Sequence, residues 1–147
     1  MGIEARFVPR LWKWIAEVDG MQEVMEQVLA HLEFLGYQIT REGDLARCNH
    51  GTNWNAVIKP YQTGLLFLTF FGGGAVSKSN RAGFLEFVNH LNSEAAVSRF
   101  YVDSDGDLAA ESWIPAHYDR QQFGHYLTLR ERDIDRAAQG DGKRYLS

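Results

Sequence analysis

Residues 83–115, GFLEFVNHLNSEAAVSRFYVDSDGDLAAESWIP, decide the fold. Phe84, Phe87, Val88 and Leu91 recur at i, i+3, i+4 and i+7, which puts them on one stripe of a helix. Asn89 and Asn92 carry amides that compete for backbone partners, so they mark its closing turns. From Arg99 the period becomes two: Phe100 and Val102 point one way, Arg99, Tyr101 and Asp103 the other. Ser104-Asp105-Gly106 is turn chemistry, with short polar side chains and a glycine that takes a positive φ cheaply. Residues 108–114 are extended again, and Pro115 stops them. A two-stranded ribbon is marginal alone, so this one must join a larger sheet or pack on the preceding helix.

Upstream, Met21, Val24, Met25, Val28, Leu29, Leu32 and Leu35 form a second helical stripe, closed by Gly36 at the position after the cap. Asp19 and Gln22 have the spacing of a capping box at its start. Tyr37 and Ile39 alternate with Gln38 and Thr40, turn at residues 42–44, and return over residues 45–49. Trp54, Ala56 and Ile58 alternate with Asn55, Val57 and Lys59 up to Pro60. After a turn at residues 62–64, residues 65–71 are apolar on both parities. Leu65, Phe67 and Phe71 face one side, and Leu66, Leu68 and Phe70 the other. Such a strand needs cover on both faces. Intramolecular helices supply one cover; the last helix, another subunit or a bound segment supplies the second.

Gly72-Gly73-Gly74 leads to Ser77 or Ser79 as the N-cap of the helix already described. Past Pro115, Phe123, Leu127 and Ile134, with Tyr126 beside them, predict a final helix. Its Arg130, Arg132 and Arg136 alternate with Glu131, Asp133 and Asp135, a pattern expected of a solvated helix end. Residues 139–147 are expected to fray as a flexible tail. At the other end, Phe7, Leu11, Ile15 and Val18, with Trp12 and Trp14, predict a leader helix over residues 1–18. That helix reads as packed on the body or on a second subunit rather than lying on a membrane surface.

The chain has 147 residues, 45% hydrophobic and 23% charged, the composition of one ordinary globular domain, here residues 19–138. A formal net charge of -4 with no basic stripe opposes nucleic-acid binding. The single Cys48 excludes an internal disulfide, and no run is long and apolar enough to span a membrane. A cytoplasmic location is expected.

Residues 72–79, GGGAVSKS, nearly match the phosphate-cradling loop G-x-x-x-x-G-K-S. Ser77 stands where the phosphate needs a glycine, and the flanking strands read as hairpins. A phosphate- or nucleotide-binding enzyme is therefore the alternative reading. Asp103, Asp105, Asp107 and Glu111 imitate a calcium loop, but Leu108 and Ile114 occupy its glycine and bidentate glutamate positions, so the stretch reads as a hairpin turn. His31, His50, His90, His117 and His125 have no chelating spacing, and Cys48 beside His50 has no third group to orient it. No metal, cofactor or catalytic residue is expected.

The run Leu91-Asn92, then RFYVDSDGD over residues 99–107, then Trp113-Ile114-Pro115, resembles the YbjN family of bacterial proteins, which are similar in fold to type III secretion chaperones. The resemblance implies an α+β domain with one antiparallel sheet in the order α-β(3-4)-α-β-β-α, here preceded by the leader helix. It also implies a homodimer that binds extended or partly folded protein segments, or makes a regulatory contact, without catalysis. The dimer interface it implies comprises Phe84, Phe87, Val88 and Leu91 of the helix with Phe100 and Val102 of the hairpin. Partner binding is expected at the apolar surplus of the central strands: Trp54, Leu65, Phe67, Phe71 and Trp113.

Overall fold

A computed structural model describes residues 20–147; the leader with Trp12 and Trp14, and the capping Asp19, lie outside the described residues. Helix α1 covers residues 20–34 and ends as the glycine demands. Gly36 has φ +97°, its N–H donates to Glu33, and the Tyr37 N–H reaches back to the Leu32 carbonyl at 3.0 Å. This is a Schellman closure, with Leu32 and Tyr37 both buried.

Six strands follow: β1 (Gln38–Glu42), β2 (Leu45–Asn49), β3 (Ala56–Tyr61), β4 (Gly64–Phe71), β5 (Arg99–Val102) and β6 (Leu108–Pro115). They form one antiparallel sheet in the order β1-β2-β3-β4-β6-β5. Pro60 is accommodated inside β3 because pairing with β2 ends at Ile58, so no partner waits for its missing N–H. Between β4 and β5 lie α2 (Ala75–Ser79) and α3 (Arg81–Glu94); α4 (Arg120–Ala138) and α5 (Gly142–Tyr145) close the chain. The expected α+β order is present.

The register sorts the side chains. Ile58 pairs with Phe67, Phe67 with Ser112, and Ala110 with Phe100, so these residues share one face. Among the described residues, that face takes all the helical cover. Val28 and Leu32 of α1 and Phe123 of α4 pack on Cys48, Ile58, Leu65 and Phe67. Phe84, Phe87 and Leu91 of α3, Ile134 of α4 and Tyr145 of α5 pack on Phe100, Leu108 and Ala110.

Three expectations about the covered side are corrected. The N-cap of α3 is Asn80, whose side chain accepts from the Gly83 N–H at 3.0 Å, not Ser77 or Ser79, which belong to the short α2. Residues 139–147 do not fray. Tyr145 stacks on Phe84 and Phe87, Leu146 bridges to Gly73, and the Ser147 N–H donates to the Gly72 carbonyl at 2.9 Å. The aromatic side chain outweighs the polar residues around it. Finally, the charged end of α4 is solvated only in part: Arg132, Asp135 and Arg136 are exposed as expected, but Arg130 and Asp133 are buried. Arg130 donates to the Thr69 hydroxyl at 2.5 Å, and the Asp133 carboxylate accepts the N–H groups of Ala96, Val97 and Ser98, each at 2.9 Å. A buried carboxylate needs such donors to offset its lost hydration.

Candidate functional site: the helix-free sheet face

The opposite face carries the other parity: Val57, Lys59 and Tyr61 of β3, Leu66, Leu68 and Phe70 of β4, Ala109, Glu111 and Trp113 of β6, and Arg99 and Tyr101 of β5. Among the described residues, no helix packs on it. Leu66 and Leu68 are shielded by their neighbours, but Phe70 is 54% exposed, Tyr61 and Trp113 45%, and Tyr101 40%. Four aromatic rings on one strand layer form an apolar surface that this part of the chain does not bury.

The Trp113 indole leans across β4, and a Cβ on Gly64 would come within 2.6 Å of it. Glycine at 64 is what lets the ring lie flat there, with its Nε1–H donating to the Tyr61 carbonyl at 3.0 Å. Beside it, Glu111 is buried and fully occupied. The Arg99 guanidinium forms a salt bridge with it, and the Tyr101 hydroxyl donates to it at 3.0 Å. Burial, then this bond to Glu111, pushes the Tyr101 phenol upward. Two hollows open on the surface: about 490 Å³ between Leu66, Val97, Glu111 and Trp113, and about 340 Å³ between Arg47, Val57, Leu68 and Phe70.

Of the residues assigned to partner binding from the sequence, only Trp113 stands on this face. Leu65 and Phe67 are 0% and 1% exposed beneath α1 and α4, so they are core. Trp54 and Phe71 meet edge to face at 5.3 Å on the covered side, and the Trp54 Nε1–H donates to Asp135 at 2.7 Å. The face is instead lined by Leu66, Leu68 and Phe70, the other parity of the same strand, with Tyr61 and Tyr101. The stripe assigned to a dimer interface points inward as well: Phe84, Phe87, Val88, Leu91 and Phe100 are buried, and half-buried Val102 packs against the same cluster.

The remaining motifs are absorbed by the fold. The Gly73 N–H donates to Asp107 and the Gly74 N–H to the Tyr145 carbonyl, both at 2.8 Å, so these amides do not form a phosphate cradle. In the hairpin, Asp103 accepts from the N–H groups of Asp105 and Asp107 at 2.9 and 3.0 Å, and Gly106 has φ +83°. Cys48 is fully buried on the covered side, and burial pushes its thiol up to about 11. His50 ties loops together: its Nδ1 accepts from the Thr52 and Asn53 N–H groups at 3.0 Å, which leaves Nε2–H to donate to the Leu35 carbonyl at 3.1 Å. None of these groups is placed beside a cavity as a nucleophile with its base.

The family model of YbjN, "Putative bacterial sensory transduction regulator", matches residues 22–140. The chain belongs to the YbjN family. Its fold is shared with the crystal structure of E. coli YbjN, "a putative transcription regulator", at 13% identity and a TM-score of 0.66, over 84% of this chain and 95% of that one. A chain of the HopA1–SchA chaperone–effector complex is similar at 11% identity and a TM-score of 0.57, over 83% of this chain and 98% of that one. A chain of the heterodimeric ExoU–SpcU complex from the type III secretion system of Pseudomonas aeruginosa is similar at 16% identity and a TM-score of 0.52, over 73% and 91% respectively. No curated protein sequence matches the chain. This YbjN-family domain thus has the fold that its hairpin sequence resembles, and β1 (Gln38–Glu42) lies where the alternation from Tyr37 to Thr40 predicts a strand. Among the described residues, no helix is long and apolar enough to cross a membrane.

Proposed function

We propose that this protein is a non-catalytic, cytoplasmic protein-binding module, chaperone-like or regulatory, that takes extended or partly folded protein segments on the helix-free face of its sheet. The observation that carries this reading is the exposure of Phe70, Tyr61, Trp113 and Tyr101 on a sheet layer whose other side is fully packed. Aromatic residues supply large contact area at low entropic cost, as binding surfaces require. The buried ionisable groups support a non-catalytic role, because Glu111, Arg130 and Asp133 each satisfy an internal partner. The HopA1–SchA chaperone–effector complex and the heterodimeric ExoU–SpcU complex, chains of which share the fold, support the choice of a protein as the ligand.

The reading includes a homodimer. With the α3 stripe buried, its interface must use other surface, and sizing chromatography at two concentrations should give twice the chain mass at both. The binding test uses a permanently unfolded probe, reduced and carboxymethylated α-lactalbumin, followed by fluorescence anisotropy. Saturable binding is expected, weakened by about tenfold or more in Phe70→Ser with the circular dichroism spectrum unchanged. Equal binding by the wild type and Phe70→Ser, or none by either, would refute the assignment of this face.

A further inference from the structure

The helix-free face ends in a gap in the sheet itself. Strand β5 starts at Arg99, opposite Glu111, whereas β6 runs on to Pro115. Beyond Glu111, β6 has β4 on one side and, among the described residues, no strand on the other. The hairpin fixes which main-chain groups face that side. The Asp103 N–H donates to the Asp107 carbonyl, so in the alternating antiparallel pattern Tyr101 and Ala109, then Arg99 and Glu111, exchange bonds. Two residues further on, Trp113 must aim its N–H and C=O the same way, into the 490 Å³ hollow beside Val97. Its indole leans the opposite way, toward Tyr61, and leaves this edge uncovered.

Two neighbours make the gap specific. The outer edge of β5 is closed, because the Asn92 amide takes both the N–H and the C=O of Phe100, at 2.8 and 2.9 Å. The chain that could have filled the gap is also held away. Extended backward in register, β5 would set Val97 opposite Trp113, but the Asp133 carboxylate grips the N–H groups of Ala96, Val97 and Ser98 and turns them toward α4.

We propose that the β6 edge at Trp113 is a strand-addition site, held open by Asp133. It takes an extended segment running antiparallel to β6 whose central residue is uncharged and β-branched or aromatic. The inference rests on the protein-binding reading and adds to it a position, a direction and a main-chain contact. The segment's central N–H and C=O would pair with those of Trp113. Cross-strand partners share a face, so its central side chain would lie beside the indole, where Glu111 is already neutralised by Arg99.

Amide hydrogen exchange by NMR on the full chain tests this directly. In the free protein the Trp113 N–H should exchange rapidly, while those of Ser112 and Ile114, directed at β4, should be protected. Capped pentapeptides Thr-Xaa-Phe-Xaa-Thr, with Xaa valine, isoleucine or threonine, serve as probes. At least one should slow Trp113 exchange about tenfold, the effect of one hydrogen-bonded pair. The same peptide N-methylated at phenylalanine should lose that protection. Protection of Trp113 in the free protein, no slowing by any member of the set, or equal slowing by the N-methylated peptide would each overturn the proposal. Peptide-induced shifts at Phe70 and Tyr101 without protection of Trp113 would overturn strand addition while leaving the protein-binding face in place.

Discussion

The two faces of the sheet are built from nearly the same residues and serve opposite ends. Along β4, Leu65, Phe67 and Thr69 look into helices, while Leu66, Leu68 and Phe70 look away from them, and both sets are almost wholly apolar. Helices alone separate them. On the covered side the side chains interlock with α1, α3, α4 and α5, and even charged groups are drawn in and satisfied. On the other side, Leu66 and Leu68 are buried although no helix among the described residues packs on them. Apolar character in a strand therefore marks the need for cover, and only the position of the helices tells whether the chain supplies it.

The contrast can be broken within one strand. Phe67→Ala should destabilise the protein by about 3–5 kcal/mol in urea unfolding, because it opens a cavity under Phe123 and Tyr126. Phe70→Ala, three residues on, should change stability by less than about 1 kcal/mol, since its ring already faces solvent. Equal losses would mean that both faces are core. Asp133→Asn probes the polar side of the covered layer. Replacing a carboxylate that serves three backbone donors should cost about 1.5–3 kcal/mol, measured in the same titration. A neutral result would remove Asp133 as the clamp of residues 96–98.

The smallest effect is one of pH. His31, with Nδ1 bonded to the Tyr118 hydroxyl at 2.9 Å and its ring edge-on to Phe123, has its pKa lowered from 6.5 by burial and then by Arg120. Just below pH 6.5 the unfolded chain therefore binds more protons than the folded one at this site, and stability falls as pH drops through that window. A stability profile between about pH 8 and about pH 5 should show this slope, and His31→Gln should flatten it. An unchanged slope in the variant would assign the effect to other groups.

Much of the fold was legible in the residues. The switch from a 3.6 to a 2.0 period around Ala95, the turn at Ser104-Asp105-Gly106 and the closing Gly36 are local signals, and each acts in the structure as read. The candidate face is legible only in part. Both parities of β4 are apolar, and the sequence does not mark which side α1 and α4 will cover, so the expected Leu65 and Phe67 lie in the core while Leu66, Leu68 and Phe70 face away from the helices. The burial of Arg130 and Asp133 among the charges of α4 is illegible for a related reason. Alternating Arg and Asp at helical spacing look solvated, and the donors that draw Asp133 inward belong to residues 96–98, far away along the chain.

By itself the sequence determined the order of helices and strands, the turns between them and the presence of more apolar strand surface than one layer of helices can bury. These follow from periodicity and backbone preference, which act over a few residues. Tertiary structure alone decided which side of β4 became core, where the Asp133 carboxylate found its donors, and that β5 stops short of Trp113. Those outcomes depend on contacts between segments distant in the chain, and short-range pattern carries no record of them.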